Sequence, residues 1–383
     1  GDVSAHTSLA FLYKNGQGVE RDLDKAVIWF TQAADKGDAT AQNMLGLFYY
    51  SGQGVEQDFA KAATYYQMAA EQGDRDSQYM LASLYRRGAG VTQDMQVAAR
   101  WFTAAAEQGD RASQANLAGL YANGYGVIQD YAAAAKWYEE AAKKGDMESQ
   151  FGLARLYHDG LGVAQDFMIA IQLYQQAAEK GHIGAHYQIA LMYQKGEGVE
   201  RDIKQAEAWH QMAAELGDED AQFDIAQRYK NGDGLPVDFR QAAIWFEKSA
   251  KGGNVEAMSS LAAAYDDGIG LTQDDTAASH WFERAALEGD TDAQFIIATR
   301  YEDGIGFLRN PGKAIQFYTL AAEKSHIEAS YRLARLYDQG IGTNEDPVEA
   351  AKWYLRAAAS GYGPAQAMMG RLYMLGRGVE KDT

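Results

Sequence analysis

Gly-x-Gly is the most frequent pattern with a possible chemical role, beginning with Gly16 and Gly18 and occurring eleven times at intervals of 36 residues. Glycine-rich loops can present backbone N–H groups to a phosphate, and such loops follow a strand or continue into Gly-Lys-Ser/Thr. Each loop here follows a helical pattern, and no such tripeptide comes after it. We therefore interpret the loops as turns, and we predict no nucleotide or other cofactor.

Aspartates recur at a fixed distance after these loops, as Asp22 does after Gly18. Repeated carboxylates could suggest calcium sites, but calcium takes about six to eight oxygen ligands, and each loop offers few acidic groups. Asp is also one of the residues preferred at a helix N-cap. We interpret these aspartates as helix caps.

Two histidines, His182 and His186, have the i,i+4 spacing of a zinc-binding pair. No Glu follows His182, as the metalloprotease motif requires. Drift within a repeat is the other interpretation, because His182 stands where Asp recurs and His186 where Gln recurs. The chain has no Cys, which excludes thiolate metal sites and Cys nucleophiles. No pair of carboxylates stands out as a general acid and base, so we predict no metal site and no enzyme activity.

A period of 36 residues positions all of these side chains. Tyr occupies position 13 of every frame, Gly occupies positions 16 and 18, and all seven Trp lie at position 29. We predict one continuous solenoid over residues 1–383, about 10.5 repeats long. Its frames, numbered 1 to 11, open at residues 1, 37, 73, 109, 145, 181, 217, 253, 289, 325 and 361, and the last is truncated.

Each frame predicts two helices. Asp at position 2 caps the first helix, and small or apolar residues at positions 5, 9, 10, 12 and 13 form one face. Gly at position 16 ends that helix, since Gly can leave it through the left-handed region. Asp at position 22 caps the second helix, with Asn310 as the exception, and alanines and aromatic residues follow. One pair cannot bury its own apolar face, so the roughly 21 helices must stack.

This pattern resembles the Sel-one-like repeat, a relative of the tetratricopeptide repeat. The segment Gly109–Lys144 carries it in Ser113, Gln114, Leu117, Ala118, Leu120, Tyr121, Gly124, Gly126, Val127, Asp130, Ala134, Trp137, Tyr138, Ala141 and Ala142. The resemblance implies an all-α, right-handed α/α superhelix that serves as an adaptor or scaffold for other proteins. It also implies a bacterial setting, with the periplasm or export slightly favoured over the cytoplasm. A cysteine-rich branch linked to penicillin binding is not implied, because Cys is absent.

The charge balance limits the classes of partner that we expect. Lys and Arg number 35 against 53 Asp and Glu, for a net charge of −18, which argues against nucleic acid. No apolar run approaches the ~18–20 residues of a membrane helix. We therefore expect another protein or a peptide segment as the partner.

The last residue, Thr383, follows an expected cap, Asp382, and neither end has a polar capping helix. We thus expect the natural protein to continue past both ends, or the terminal faces to stack.

The resemblance implies that first helices line a concave face, on which positions 4, 7, 11, 14 and 15 form one stripe. These columns vary most between frames, and position 7 is aromatic in five of the seven frames from 5 to 11. An aromatic ridge suits a peptide, although the rings could instead pack on the adjacent repeat. The candidate partner-binding residues are Phe151, Arg155, Tyr187, Leu191, Phe223, Phe295, Tyr331, Arg335, Asp266, Asp267, Glu302 and Asp303.

The stripe is more acidic toward the C-terminal half. Its three acids balance three bases in frames 2 to 5, whereas nine acids face two bases in frames 7 to 10, for a net charge of −7. Like charges along one wall steer an opposite partner, so we expect a basic segment to bind there. The alternative is that the acids only keep the solenoid soluble.

The repeat is least regular in frames 7 to 10. Arg228, Ala264 and Arg300 replace the usual Leu at position 12, and Phe307 and Leu308 interrupt a loop. One interpretation is drift, with the Arg side chains reaching water. The other is that Phe307 and Leu308 form a secondary exposed contact.

The alternative function for the protein is that of an envelope structural or toxin-immunity-type inhibitory protein that binds one partner through an outer surface.

Overall fold

The computed structural model describes residues 2–381, and within that range it contains 21 α-helices and no strand. The expected cap Asp382 lies outside the described residues. The first helices of the repeats are α1 (Val3–Asn15), α3 (Ala39–Ser51), α5 (Arg75–Arg87), α7 (Arg111–Asn123), α9 (Met147–Asp159), α11 (Ile183–Lys195), α13 (Glu219–Asn231), α15 (Val255–Asp267), α17 (Thr291–Asp303), α19 (Ile327–Gln339) and α21 (Gly363–Leu375). The second helices are α2 (Leu23–Ala34), α4 (Phe59–Glu71), α6 (Met95–Glu107), α8 (Tyr131–Lys143), α10 (Phe167–Glu179), α12 (Ile203–Leu216), α14 (Phe239–Gly252), α16 (Asp275–Leu287), α18 (Pro311–Glu323) and α20 (Pro347–Ala359).

The predicted caps at positions 2 and 22 are confirmed. Asp38 accepts a hydrogen bond from the Ala41 N–H at 2.7 Å, and Asp22 accepts one from the Lys25 N–H at 2.9 Å. Substituted frames use other acceptors, since Asn310 caps α18 through its side-chain oxygen. A cap satisfies backbone N–H groups that have no partner within the helix, so the sequence fixes where each helix begins.

The two glycines of each loop have different roles. The glycine at position 16 ends the first helix in the left-handed conformation, as Gly88 does with φ of 68°. The glycine at position 18 lies against the preceding repeat. A Cβ on Gly90 would stand 2.2 Å from the carbonyl carbon of Phe59, at the start of α4. No side chain fits there. Where the space is open, as at Gly18, the left-handed φ of 74° favours glycine instead.

Alanines and one large ring per repeat form the core. The ring at position 30 is buried in most repeats, as in Phe30, Tyr66, Phe102 and Tyr318, and the alanines around it let the helices approach closely. Polar side chains also join consecutive repeats. The recurrent Gln at position 6 reaches back to the preceding repeat, as Gln78 does when its Nε2 donates to the Ala70 carbonyl at 3.2 Å.

The helices form two compact units, one ending at Ala206 and the other beginning at Glu207. Unit 1 contains α1 to α11, and unit 2 contains α13 to α21, each as a series of stacked helix pairs. The α/α repeat architecture predicted from the sequence is confirmed within the described residues. None of the helices there combines the length and the apolar character that a membrane span would need.

Candidate protein-binding surface

The first-helix stripe, formed by positions 4, 7, 11, 14 and 15 of the first helices, lies at the surface in unit 2, whereas Thr7 and Ser83 of the same columns are buried in unit 1. In α13, α15, α17 and α19 no residue of these columns is buried. Helical periodicity places them beside the core-facing positions 5, 9 and 12. The stripe is therefore accessible to a partner within unit 2.

The aromatic residues of the stripe are half-buried rather than free. Phe295 stacks on the His326 ring with centroids 4.5 Å apart and contacts Tyr318 at 5.9 Å. Phe151 stacks in the same way on His182 at 4.0 Å. Phe223, Tyr331 and Tyr187 are half-buried as well, the first two against the core of unit 2. Four of these rings pack against their own repeat or the next one, namely Phe151, Phe223, Phe295 and Tyr331, and all five keep part of their surface in solvent.

Three other candidate residues lie in the same stripe. Arg155 is exposed, whereas Leu191 and Arg335 are half-buried. The stripe consequently alternates partly covered apolar surface with charged groups, and this combination suits a peptide that makes both kinds of contact.

The acids of unit 2 divide into paired and unpaired groups. Asp266 forms an ion pair with Arg300 at 2.8 Å, and Glu302 accepts from the Tyr318 hydroxyl and lies 3.6 Å from Arg332. Asp267 and Asp303, in contrast, are exposed.

Counting charges by column overstated the negative charge of this surface. Asp338 pairs with Arg377 at 3.2 Å, so three arginines from other columns, Arg300, Arg332 and Arg377, contact acids of the stripe. Including these arginines lowers the net charge of this acidic set from −7 to −4. The surface remains acidic, and its exposed carboxylates are Asp220, Glu256, Asp267, Asp292 and Asp303.

The expectation that the arginines at position 12 reach water is wrong for Arg300, which is 5% exposed. Its guanidinium donates to the Ser279 hydroxyl at 2.7 Å, to Asp266 at 2.8 Å and to the Asp275 carbonyl at 3.0 Å. Hydrogen bonds to every side of a buried charge offset the cost of removing it from water. Arg300 is therefore an internal strut between α16 and α17.

Phe307 and Leu308 do not form one exposed contact. Leu308 is 92% exposed, but Phe307 is half-buried, stacked on Tyr301 at 5.1 Å and edge-on to His280 at 4.8 Å. The expectation was wrong for Phe307, because a neighbouring ring covers it. Only Leu308 remains as an exposed secondary contact.

The zinc-like spacing of His182 and His186 has a structural explanation. His182 precedes α11 and accepts from the Ala185 N–H through Nδ1 at 3.2 Å, in the role of the usual Asp. His186 is buried, and its Nδ1 donates to the His182 carbonyl at 3.0 Å. Within the described residues, no three His, Asp or Glu side chains are grouped to hold a metal ion.

One histidine that the sequence analysis did not single out occupies a core position. His210 replaces the aromatic ring at position 30 and is 1% exposed. Burial, together with the nearby Arg228 charge, lowers the pKa of His210 to about 4. The side chain is therefore neutral at physiological pH.

The sequence profile of the Sel1 repeat matches eleven consecutive segments that together span nearly the whole chain. They are residues 3–38, 39–74, 75–110, 111–146, 148–182, 183–218, 219–254, 255–290, 291–326, 327–362 and 363–383. The chain belongs to the Sel1 repeat family. Sel1 repeat proteins are generally protein-interaction scaffolds and generally non-catalytic. The predicted family resemblance is confirmed.

Two solved Sel1 repeat structures resemble the chain over most of their length. A protective antigen of uropathogenic Escherichia coli strains, which displays an SLR fold, is 34% identical, with all of this chain and 82% of the antigen covered and a TM-score of 0.60. A Sel1 repeat protein of Oxalobacter formigenes is 29% identical over 85% of this chain and 93% of its own, with a TM-score of 0.65. No curated protein matches the chain in sequence.

An immunity protein of Pseudomonas aeruginosa is a more distant neighbour. It is 19% identical over 57% of this chain and 83% of its own length, with a TM-score of 0.32. A likeness at this level carries no argument for the toxin-immunity alternative.

Proposed function

We propose that this Sel1 repeat protein is a non-catalytic scaffold that binds an extended segment of another protein along the first-helix stripe. In unit 2 the segment is basic. The observation that carries the proposal is the combination of half-exposed rings, such as Phe295, with the exposed carboxylates Asp267 and Asp303.

The two kinds of residue contribute differently to binding. Partly exposed aromatic rings offer apolar area that is already ordered by packing, so little side-chain entropy is lost when a partner covers them. Exposed acids attract an oppositely charged segment and raise its association rate. Rings would also accept cation–π contact from lysine or arginine. A basic segment with interspersed apolar residues matches both.

Charge reversal tests the proposal. The probe is a fluorescein-labelled peptide of alternating lysine and glycine, measured by fluorescence anisotropy and by stopped-flow association. We expect the Asp267→Lys/Asp303→Lys double variant to bind far more weakly than the parent protein. Association with the parent should slow as salt rises past ~0.15 M, where the Debye length is ~8 Å.

The matched control is Glu215→Lys/Glu323→Lys, which makes the same charge change on exposed positions of the second helices α12 and α18. This variant should keep most of its affinity. Equal losses in the two double variants would show that the acids act only through overall charge, and the proposed site would then be wrong.

A further inference from the structure

Position 12 of the repeat lies on the first helix and faces the preceding repeat. It is normally filled by a large side chain. Leu84, Leu120, Leu156 and Leu336 are all at most 5% exposed. Each plugs the space between its own helix and the helix pair before it. Ala264 is the one small residue in this column.

A cavity of about 120 Å³ lies beside Ala264. Its walls come from α14 and α15, with Ala242, Ala243 and the buried ring of Phe246 on one side and Ser260 on the other. The lining is mostly carbon. Apolar cavities of roughly 150 Å³ stay dry and bind benzene or xenon, so this space suits one apolar side chain.

The next repeat shows that loss of the leucine need not leave a cavity. Arg300 occupies the equivalent position in α17, and its side chain passes into the space beside Ser279. Ala264 has no side chain long enough to do this, and the equivalent partner there is the small residue Ala243, which lines the cavity. The opening between repeats 7 and 8 is thus a feature of this junction.

The cavity opens between apolar and charged residues. Phe239 is 45% exposed and Ile269 is 46% exposed, and both line it. Lys230 and Asp267 complete the lining. Within residues 2–381 neither of these two charged groups has an ion-pair partner within 4.0 Å. Asp267 also belongs to the first-helix stripe, so the cavity adjoins the proposed binding surface.

We propose that this cavity is an anchor pocket that takes one leucine- or methionine-sized side chain of the basic partner segment. The pocket occupies the place of a leucine that the repeat normally supplies itself, so a side chain of that size fits it. Asp267 at the rim, next to the acidic stripe, receives a lysine or arginine flanking that side chain. The inference rests on the proposed function and adds an apolar requirement to it.

Three labelled peptides test the requirement, all of the pattern Gly-Lys-Gly-X-Gly-Lys-Gly. X is Leu in the first and Ala in the second, and the third has Leu with both lysines replaced by Glu. Leu carries three more carbon groups than Ala, which corresponds to roughly 10- to 50-fold tighter binding when they are buried. We expect that ratio between the first two peptides on the parent protein, and the weakest binding for the Glu peptide.

Ala264→Leu is the decisive variant, because it fills the pocket with the residue usual in this column. It should reduce binding of the Leu peptide to the level of the Ala peptide and leave the Ala peptide unchanged. The matched control, Ala104→Leu, adds the same side chain at a half-buried position of the second helix α6 in unit 1, outside the first-helix stripe. It should leave both affinities as they are.

The possible outcomes separate the two proposals. Failure of both lysine peptides to bind, or preference for the Glu peptide, would overturn the proposed basic segment. Equal binding of the Leu and Ala peptides, or an equal loss of both in Ala264→Leu, would overturn the anchor pocket alone. Dissolved xenon gives a readout without peptide: its ¹²⁹Xe NMR shift should change with the parent protein and with Ala104→Leu. An unchanged response in Ala264→Leu would contradict the pocket.

Discussion

Two neighbouring junctions of unit 2 have lost the same leucine with different results. Between repeats 8 and 9, Arg300 fills the space and forms hydrogen bonds with Ser279 and Asp266. Between repeats 7 and 8, Ala264 leaves a cavity of about 120 Å³ that opens beside Asp267. A departure from the repeat pattern is therefore not in itself a functional signal. What matters is whether neighbouring residues have changed with it.

The Arg300 junction changed as a group. Ser279 stands where alanine is common in the column, and its hydroxyl both accepts from Arg300 and donates to the Ile305 carbonyl at 3.0 Å. At the Ala264 junction the neighbouring Ala243 and Phe246 are still typical of their columns. The first junction is consequently closed by polar bonds, whereas the second exposes part of the core.

The largest effect should come from opening a regular junction. Leu336 is 1% exposed in the same column of repeat 10, so Leu336→Ala removes a buried side chain and leaves a cavity. We expect a loss of about 2–5 kcal/mol in the free energy of unfolding, measured by urea denaturation. A loss below about 1 kcal/mol would mean that this column contributes little to stacking, and the comparison of junctions would lose its basis.

The Arg300 junction allows a pair of opposing variants. Arg300→Ala removes three hydrogen bonds and should cost about 3 kcal/mol, toward the lower end for a broken buried ion pair because Asp266 is partly exposed. Arg300→Leu restores the usual residue and should cost clearly less, since a well-packed apolar residue often replaces a buried charge without loss. Equal unfolding free energies for the two variants would show that Arg300 is not a strut.

Helix positions and caps could be predicted because they depend on residues close in sequence. Asp22 caps a helix that begins at the next residue, and Asn310 does the same despite its substitution. The environment of Arg300 could not be predicted, because Ser279 and Asp266 lie 21 and 34 residues before it. A period tells which column a residue belongs to but not which side chain of the preceding repeat reaches it.

The candidate surface was predictable only in outline. Helical spacing placed Phe295 and Asp303 on one face correctly, but it could not show that the ring stacks on His326. It also could not show that Phe307 is covered by Tyr301. The pocket beside Ala264 could not be predicted either, since a small residue leaves a cavity only if its neighbours do not fill the space.

A further variant tests a buried polar residue in another column, His210, which replaces an aromatic ring of the core. The pKa of His210 is lowered to about 4 in the folded protein, against about 6.5 when unfolded. Between these two pH values the unfolded chain binds more protons than the folded protein. The contribution of neutral His210 to the free energy of unfolding is therefore complete above pH 6.5 and is lost as the pH falls. The His210→Phe variant carries the type of ring that is usual in this column. It should not show the loss of stability at low pH, which reaches about 2 kcal/mol at pH 5 in the parent protein.

The measurement is the difference between the unfolding free energies of parent and variant at pH 7 and pH 5. Asp218 titrates in the opposite sense, because burial raises its pKa to about 6 and its contribution to stability falls as the pH rises through this range. Asp218 is present in both proteins, so its contribution cancels in the difference. The same pH dependence in parent and variant would contradict a neutral, buried His210.

The smallest effect, and the one that bears most directly on the two junctions, is expected for Ala264→Leu. If the cavity is an unfilled leucine site, the variant buries new apolar surface without a cost to neighbouring side chains, and unfolding should require about 0.5–2 kcal/mol more. Thermal and urea denaturation would both detect this gain. A destabilised variant would mean that Phe246 and Ile269 already close the space and that the added side chain is forced outward. If the variant gains stability and also loses the preference for the Leu peptide, the parent protein keeps this junction open at the expense of core packing. That relation is expected where a binding site competes with the core.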